Sequence, residues 1–278
     1  MHDLSGKVAV ITGAGGILCG AFARELAKHG VAVAVLDLDL SAAQKTVDDI
    51  VGAGGTAKAF SCNVLDKDSM MACEAQVFAH FGPYHILING AGGNNAKANT
   101  SNEYYAVADV TDPSVSSFFD LAPEGVTAVF SLNFIGSFIP SQVFAKRLTT
   151  VDGATIINMS SMSAPSPMTK VPAYSAAKAA IENFTKWMAV HFANTGLRVN
   201  AIAPGFFLTN QNHDLLINPD GSLTERSEKI INHTPMRRFG EVEDLLGVLL
   251  WLVDDSRSAF VTGATIPVDG GFSAYSGV

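Results

Sequence analysis

The chain has 278 residues, 48% of them hydrophobic, with a formal net charge of −8. That is enough for one large domain with its own core, and the acidic balance argues against nucleic acid or an anionic membrane as a partner. Cys19, Cys62 and Cys73 show no CxxC spacing, and the apolar run from Val8 is too short for an export signal, so the expectation is a reduced, cytoplasmic protein without a metal.

In chain order, the β-type run KVAVIT leads into TGAGGILCG at 12–20 and a helical pattern over 17–29. VAVAVL, a helix over 41–52, TAKAFS, a helix over 66–81 and HILIN follow. Residues 92–112 are polar without a period, and an irregular segment of that length in a compact domain is usually functional. The uncharged stretch between Glu124 and Lys146 is interrupted by Ser131, Asn133, Ser137 and Pro140, which predicts a buried helix rather than a membrane span. ATIINM, a helix over about 173–195, RVNAIA, a second irregular segment at 206–236, a helix around 241–253 and ATIPV complete the chain. Apolar strands alternating with helices predict a doubly wound parallel α/β sheet of about seven strands, a Rossmann fold formed by residues 1–278. Both irregular segments follow strands on the same side, where the ligand crevice of such sheets lies.

A strand, a glycine-rich turn and a helix form a phosphate cradle. Asp37 ends the second strand 24 residues after Gly13, where a carboxylate accepts from the adenosine ribose and repels a 2′-phosphate. Read alone, it is equally an ordinary turn aspartate. Tyr174 and Lys178 stand four apart on one helix face. An ammonium about 4 Å from a phenol, at an effective dielectric of 20, favours the phenolate by roughly 4 kcal/mol and brings tyrosine into catalytic range. Ser160 and Ser161 end the strand before them, and Asn133 lies in a helix too apolar to take an amide without a partner.

Together TGAGGILCG, NGAG at 89–92, Asn133, Ser161, Tyr174, Lys178, RVNAIAPGFFLT at 198–209 and FVTGATIPVDGG at 260–271 resemble the short-chain dehydrogenase/reductase family over nearly the whole chain. The resemblance implies NAD(H)-dependent hydride transfer, with NAD(H) preferred over NADP(H) on account of Asp37. It implies Tyr174 as proton donor, Ser161 holding the substrate oxygen, Lys178 lowering the tyrosine pKa and binding the nicotinamide ribose, and Asn133 holding a water. It implies cofactor contacts from Gly13, Gly15, Gly16, Ile17, Leu18, Asp37, Asn63, Val64, Asn89, Gly90, Ala91, Pro204, Gly205, Phe207 and Thr209, besides Tyr174 and Lys178. The pattern departs in four places: Ile17 and Cys19 replace glycines, Asn63 replaces an aspartate, and NNAG has become NGAG. An early pair, Gly15 and Gly16, is expected to compensate.

The irregular segments resemble the D-mannonate oxidoreductase (fructuronate reductase) subgroup of that family, which implies a small sugar-acid substrate. Asn94, Asn95, Lys97, Asn210, Gln211, Asn212 and Arg237 are the candidate substrate contacts, since amides suit hydroxyls and cations suit a carboxylate. Another sugar-acid or polyol dehydrogenase of the family, and an NAD-binding sensor, are the rival readings. The family resemblance also implies a homo-oligomer, a tetramer or a dimer, built through helices near 115–148 and 173–195 and through the C-terminus.

Overall fold

The computed structural model describes residues 4–208 and 216–277. Seven strands pair in parallel: β1 (Val8–Thr12), β2 (Ala32–Asp37), β3 (Ala57–Ser61), β4 (Ile86–Asn89), β5 (Thr155–Met159), β6 (Arg198–Pro204) and β7 (Thr265–Val268). Their order is β3-β2-β1-β4-β5-β6-β7. The central strands β1, β4, β5 and β6 are buried at every residue, because helices cover both faces and leave neither open to solvent.

Strand alternation divides the core into two layers. Ala9 and Ile11 of β1 point to α1 (Ile17–Lys28) and α2 (Leu40–Gly52), where Phe22, Leu26, Val47 and Ile50 meet them. Val8 and Val10 point the other way, to Met70 and Val77 of α3 (Lys67–Phe81) and to Phe144 and Leu148 of α5 (Gly136–Leu148). Burying each such side chain contributes roughly 1.5–3 kcal/mol. The Asp39 carboxylate caps α2 by accepting from Ser41 and Ala42, and Asp66 caps α3 by accepting from Asp68 and Ser69. Each cap contributes about 1 kcal/mol. The α1 helix differs, since Gly16 stands at its N-cap and offers no side chain.

The single long helix expected near 115–148 is broken. It runs as α4 (Pro123–Phe130), a π turn at Ser131–Ile135, and α5. The extra residue per turn carries Asn133, and such π turns are frequent at functional sites. By length and composition Pro123–Leu148 could cross a membrane, yet its Phe144, Ala145 and Leu148 pack into the core under β4 and β5. The irregular stretch after β4 folds into 3-10 turns at Ala96–Ala98, Val107–Thr111 and Phe118–Asp120, held by local caps such as Asn95 to the Lys97 N–H. Glu103 ties this stretch to Lys229 of α7 (Glu225–His233). The last long helices, α6 (Pro172–His191) and α8 (Leu246–Val253), flank β5 and β6.

Candidate active site

The strand order reverses between β1 and β4, and a cleft of about 940 Å³ opens there at the carboxyl ends of the strands. Its floor at the β1 end is backbone. Gly13 has φ +67, and a Cβ on it would lie 2.9 Å from the Ala91 backbone. A Cβ on Gly15 would lie 2.7 Å from Ala42 and 2.9 Å from an Asp37 carboxylate oxygen. Gly15 N–H donates to that oxygen at 2.9 Å, and Asp39 N–H donates to the other at 3.1 Å, so the carboxylate is fixed at the end of β2. Above it, the first turn of α1 presents backbone N–H groups that have no partner within the helix, beside an N-cap without a side chain. The residues present therefore fit a dinucleotide: bare donors for the pyrophosphate, with a fixed carboxylate one strand away.

The two irregular positions in the glycine loop have separate fates. Ile17 lines the cleft at the start of α1. Cys19 is turned inward, where its Sγ lies 2.1 Å from the place a Cβ on Gly90 would take. The thiol thus fills the space that glycine at 90 leaves, and two of the four departures from the family pattern are one packing change. Burial pushes the Cys19 thiol up to about 12, so it sits there as a neutral apolar group. The Thr12 hydroxyl accepts from Gly90 and Ala91 N–H at 3.0 and 3.3 Å and holds this second loop against β1.

At the β5 end Ser161 and Tyr174 line the cleft together. Ser163, wholly buried, donates to the Ser161 oxygen with both its N–H (3.2 Å) and its hydroxyl (3.0 Å). With its lone pairs so engaged, Ser161 is left to donate its own proton towards the phenol. Ser160 is turned behind, with its hydroxyl on the Lys178 carbonyl and on Glu182. The Lys178 ammonium lies 5.6 Å from the Tyr174 ring centre and donates to the Met159 carbonyl at 2.8 Å. Burial pushes Tyr174 up, opposed by the Ser161 hydroxyl, and pushes Lys178 down to about 8. Desolvation dominates the tyrosine, and the expected lowering by the ammonium does not figure in this arrangement.

Two buried amides hold these parts in place. Asn89 donates to the Ser141 hydroxyl and to the Asn158 carbonyl oxygen, both at 2.8 Å; Asn158 donates to Thr185 at 2.8 Å. That chain joins α5, β4, β5 and α6 beneath the cleft. Asn133 gives both amide protons away, to Gly93 O at 2.7 Å and Val129 O at 2.8 Å, and is fully buried. Its side chain also accepts from Gly93 N–H at 3.4 Å and so ties the loop at Gly92–Gly93 to the π turn.

Of the expected residues, Gly13, Gly15, Gly16, Ile17, Leu18, Asp37, Asn63, Val64, Gly90, Ala91, Ser161, Tyr174, Lys178, Pro204, Gly205, Phe207 and Asn94 line the one cleft. Asn89 and Asn133 support it from below. Asn95 and Lys97 do not line it; Asn95 caps its own turn, and the Lys97 stem packs where Gly125 has no side chain. Arg237 spends its guanidinium on the Asn232 carbonyl and amide oxygen at 2.9 and 3.1 Å, away from the cleft. Thr209, Asn210, Gln211 and Asn212 lie outside the described residues. Sequence reasoning passed over Thr12, Ser163, Lys170 and Arg226. Ser163 could have been found from its place two residues after Ser161, and Lys170 from its place just ahead of the helix of Tyr174.

The family model described as enoyl-(acyl carrier protein) reductase, a short-chain dehydrogenase model, matches residues 14–273. The chain is 60% identical over 277 residues to the uncharacterised oxidoreductase UxuB of Bacillus subtilis, covering 100% of this chain and 98% of that one. It is 31% identical over 273 residues to a cyclohexanol dehydrogenase of Acinetobacter, with 98% and 97% covered. A Haemophilus influenzae protein, provisionally assigned as a D-mannonate oxidoreductase and crystallised with bound NAD, superimposes with a TM-score of 0.96 at 52% identity, covering 100% of this chain and 98% of that one. With the doubly wound sheet and the Ser161, Tyr174 and Lys178 constellation, these likenesses carry one conclusion: the chain is an oxidoreductase belonging to the short-chain dehydrogenase/reductase family.

Proposed function

We propose that this oxidoreductase uses NAD(H), in preference to NADP(H), to interconvert D-fructuronate and D-mannonate. The observation that carries the reading is the continuity of one cleft from the fixed Asp37 carboxylate to the Ser161–Tyr174 pair. Asp37 would accept from the adenosine ribose and repel a 2′-phosphate, and the α1 N-terminus would hold the pyrophosphate. The nicotinamide, when bound, supplies or accepts the hydride.

The remaining chemistry belongs to the chain. In reduction Tyr174 gives its proton to the oxygen of the C5 carbonyl, and Ser161, its proton aimed by Ser163, donates to the same oxygen. Lys178, close to neutrality at about 8, can pass or take a proton near working pH and favours the phenolate once Tyr174 has given its proton up. Asn133 acts by positioning, since it fixes the Gly93 loop against α4. The D-mannonate assignment is supported by the name of the Haemophilus influenzae relative and by the polar cleft wall of Asn94, Asn99, Thr100 and Ser101. The reading includes a single domain over 1–278 and a homo-oligomer. The latter is supported by the apolar surface of Phe130, Ile135, Phe138, Trp187 and Val190 on α4, the π turn, α5 and α6.

The test is NADH oxidation with D-fructuronate, beside D-tagaturonate, D-fructose and an NADPH control. Turnover confined to D-fructuronate with NADH, and reduced by about 10²–10⁴ in Tyr174→Phe, is the expected outcome. NADH binding without turnover of any uronate would sink the substrate reading, and unaltered activity in Tyr174→Phe would sink the mechanism.

A further inference from the structure

We infer that Lys170 and Arg226 form a two-cation clamp that holds the carboxylate of a polyhydroxylated acid at the outer end of the cleft, an inference that rests on the reading of Ser161 and Tyr174 as the reacting end. Both side chains line the cleft. Lys170 comes from the loop between β5 and α6, and Arg226 from the start of α7, beyond β6. These segments rise from the carboxyl ends of β5 and β6, whereas Asp37 lies across the sheet at the end of β2. The pair therefore serves the reacting half of the cleft and not the adenosine half.

Three observations bring the two cations to one place and leave them open to a ligand. First, both line the same cleft, and both lie within electrostatic reach of one carboxylate, Glu103, which is held below its usual range chiefly by the Lys229 hydrogen bond. Second, Glu103 is already joined to Lys229, while neither Lys170 nor Arg226 has a carboxylate within ion-pair distance among the described residues. In a chain with net charge −8, other arginines do find partners, as Arg147 finds Glu74 and Arg238 finds Asp244. Third, Lys170 holds a left-handed backbone, φ +69, which costs a lysine free energy that a glycine would be spared. Its carbonyl is pinned by the Thr100 N–H at 3.0 Å, in the same wall that presents Asn99 and Ser101 to the cleft. A planar guanidinium and a mobile ammonium in one cleft suit a carboxylate, and the amide and hydroxyls that line it with them suit the hydroxyls of a sugar acid.

The clamp gives a role to cations other than Lys97 and Arg237, which the structure turns elsewhere. It also states what is recognised: the negative charge, in addition to the hydroxyl pattern.

The test uses the full-length protein saturated with NADH and two probes, D-mannonate and D-mannitol, titrated calorimetrically. D-Mannonate is expected to bind wild type at least tenfold more tightly than D-mannitol. Lys170→Met and Arg226→Met are each expected to weaken D-mannonate about tenfold, as loss of one charged hydrogen bond does, and to leave D-mannitol and NADH affinities within about twofold. Lys170→Arg, which keeps the charge, should retain most of the affinity. Equal binding of the two probes by wild type, or wild-type D-mannonate affinity in both Met variants, overturns the clamp. Kinetics separate the clamp from the substrate reading. D-Fructuronate turnover with unchanged KM in both variants removes the clamp and keeps the enzyme. Variant-sensitive D-mannonate binding in a protein that turns over no D-fructuronate keeps the clamp and removes that substrate.

Discussion

The two halves of the cleft are built on opposite plans. Over β1 and β2 the walls are backbone packed so closely that a single added carbon would collide, at Gly13, Gly15 and Gly90. Beyond β4, β5 and β6 the walls are side chains on irregular segments and at the start of α7, Asn94, Ser101, Lys170 and Arg226 among them. A dinucleotide presents the same phosphates and ribose wherever it is bound, so its half can be rigid and spelled in glycines. A substrate differs from one enzyme to the next, and its half is carried by loops that can vary without disturbing the sheet.

The comparison can be broken most severely where the halves meet. Lys178→Met is expected to lower kcat by about 10²–10⁴ and yet to stabilise the cofactor-free protein at pH 7 by roughly 1–3 kcal/mol. The sign follows from Lys178 having its folded pKa depressed from 10.5 to about 8. Below pH 8 the folded state carries a buried charge that the unfolded state holds more cheaply, and this cost is relieved as pH rises from about 8 to 10.5. Thermal melts of wild type and variant should therefore differ most below pH 8 and converge by pH 10.5; a constant gap across that range would contradict it.

In the rigid half, Gly90→Asn puts a Cβ 2.1 Å from the Cys19 Sγ and 2.7 Å from the Thr12 carbonyl, and should cost about 2–4 kcal/mol in an unfolding titration. Adding Cys19→Gly removes the worse of the two collisions and should recover part of that loss. A double variant no more stable than Gly90→Asn would show the pair to be independent. A smaller effect is expected of Asp37→Ala, about tenfold in the NADH-to-NADPH ratio of kcat/KM, because one carboxylate is lost while the N–H groups of α1 remain. Smallest of all, Lys97→Ala and Arg237→Ala should change KM for the sugar acid by less than about twofold. A large rise in either would restore these cations to the site.

The same contrast explains what could be read from the sequence. Tyr174 and Lys178 were legible because a helix fixes the meaning of a spacing of four, and Gly13 and Asp37 because a strand, a turn and a helix fix theirs. Asn133 was legible as a buried amide, though not as the centre of a π turn, since one extra residue in a helix leaves no mark on hydrophobic periodicity. The cations of the loops were not legible. Lys97 and Lys170 are chemically the same, and the difference lies in the path of the backbone: one stem lies on Gly125, and the other sits on a left-handed residue at the cleft wall.

The interlock of Cys19 with Gly90 also restricts the order in which the two positions can be exchanged. In the family pattern glycine stands at 19 and a larger residue at 90, and this chain has the reverse. Starting from the pattern, a thiol acquired first at 19 would have met the existing side chain at 90, whereas loss of that side chain first would have left a small void for the thiol to fill. Of the two single exchanges that separate the arrangements, only the one that passes through glycine at both positions therefore avoids the collision.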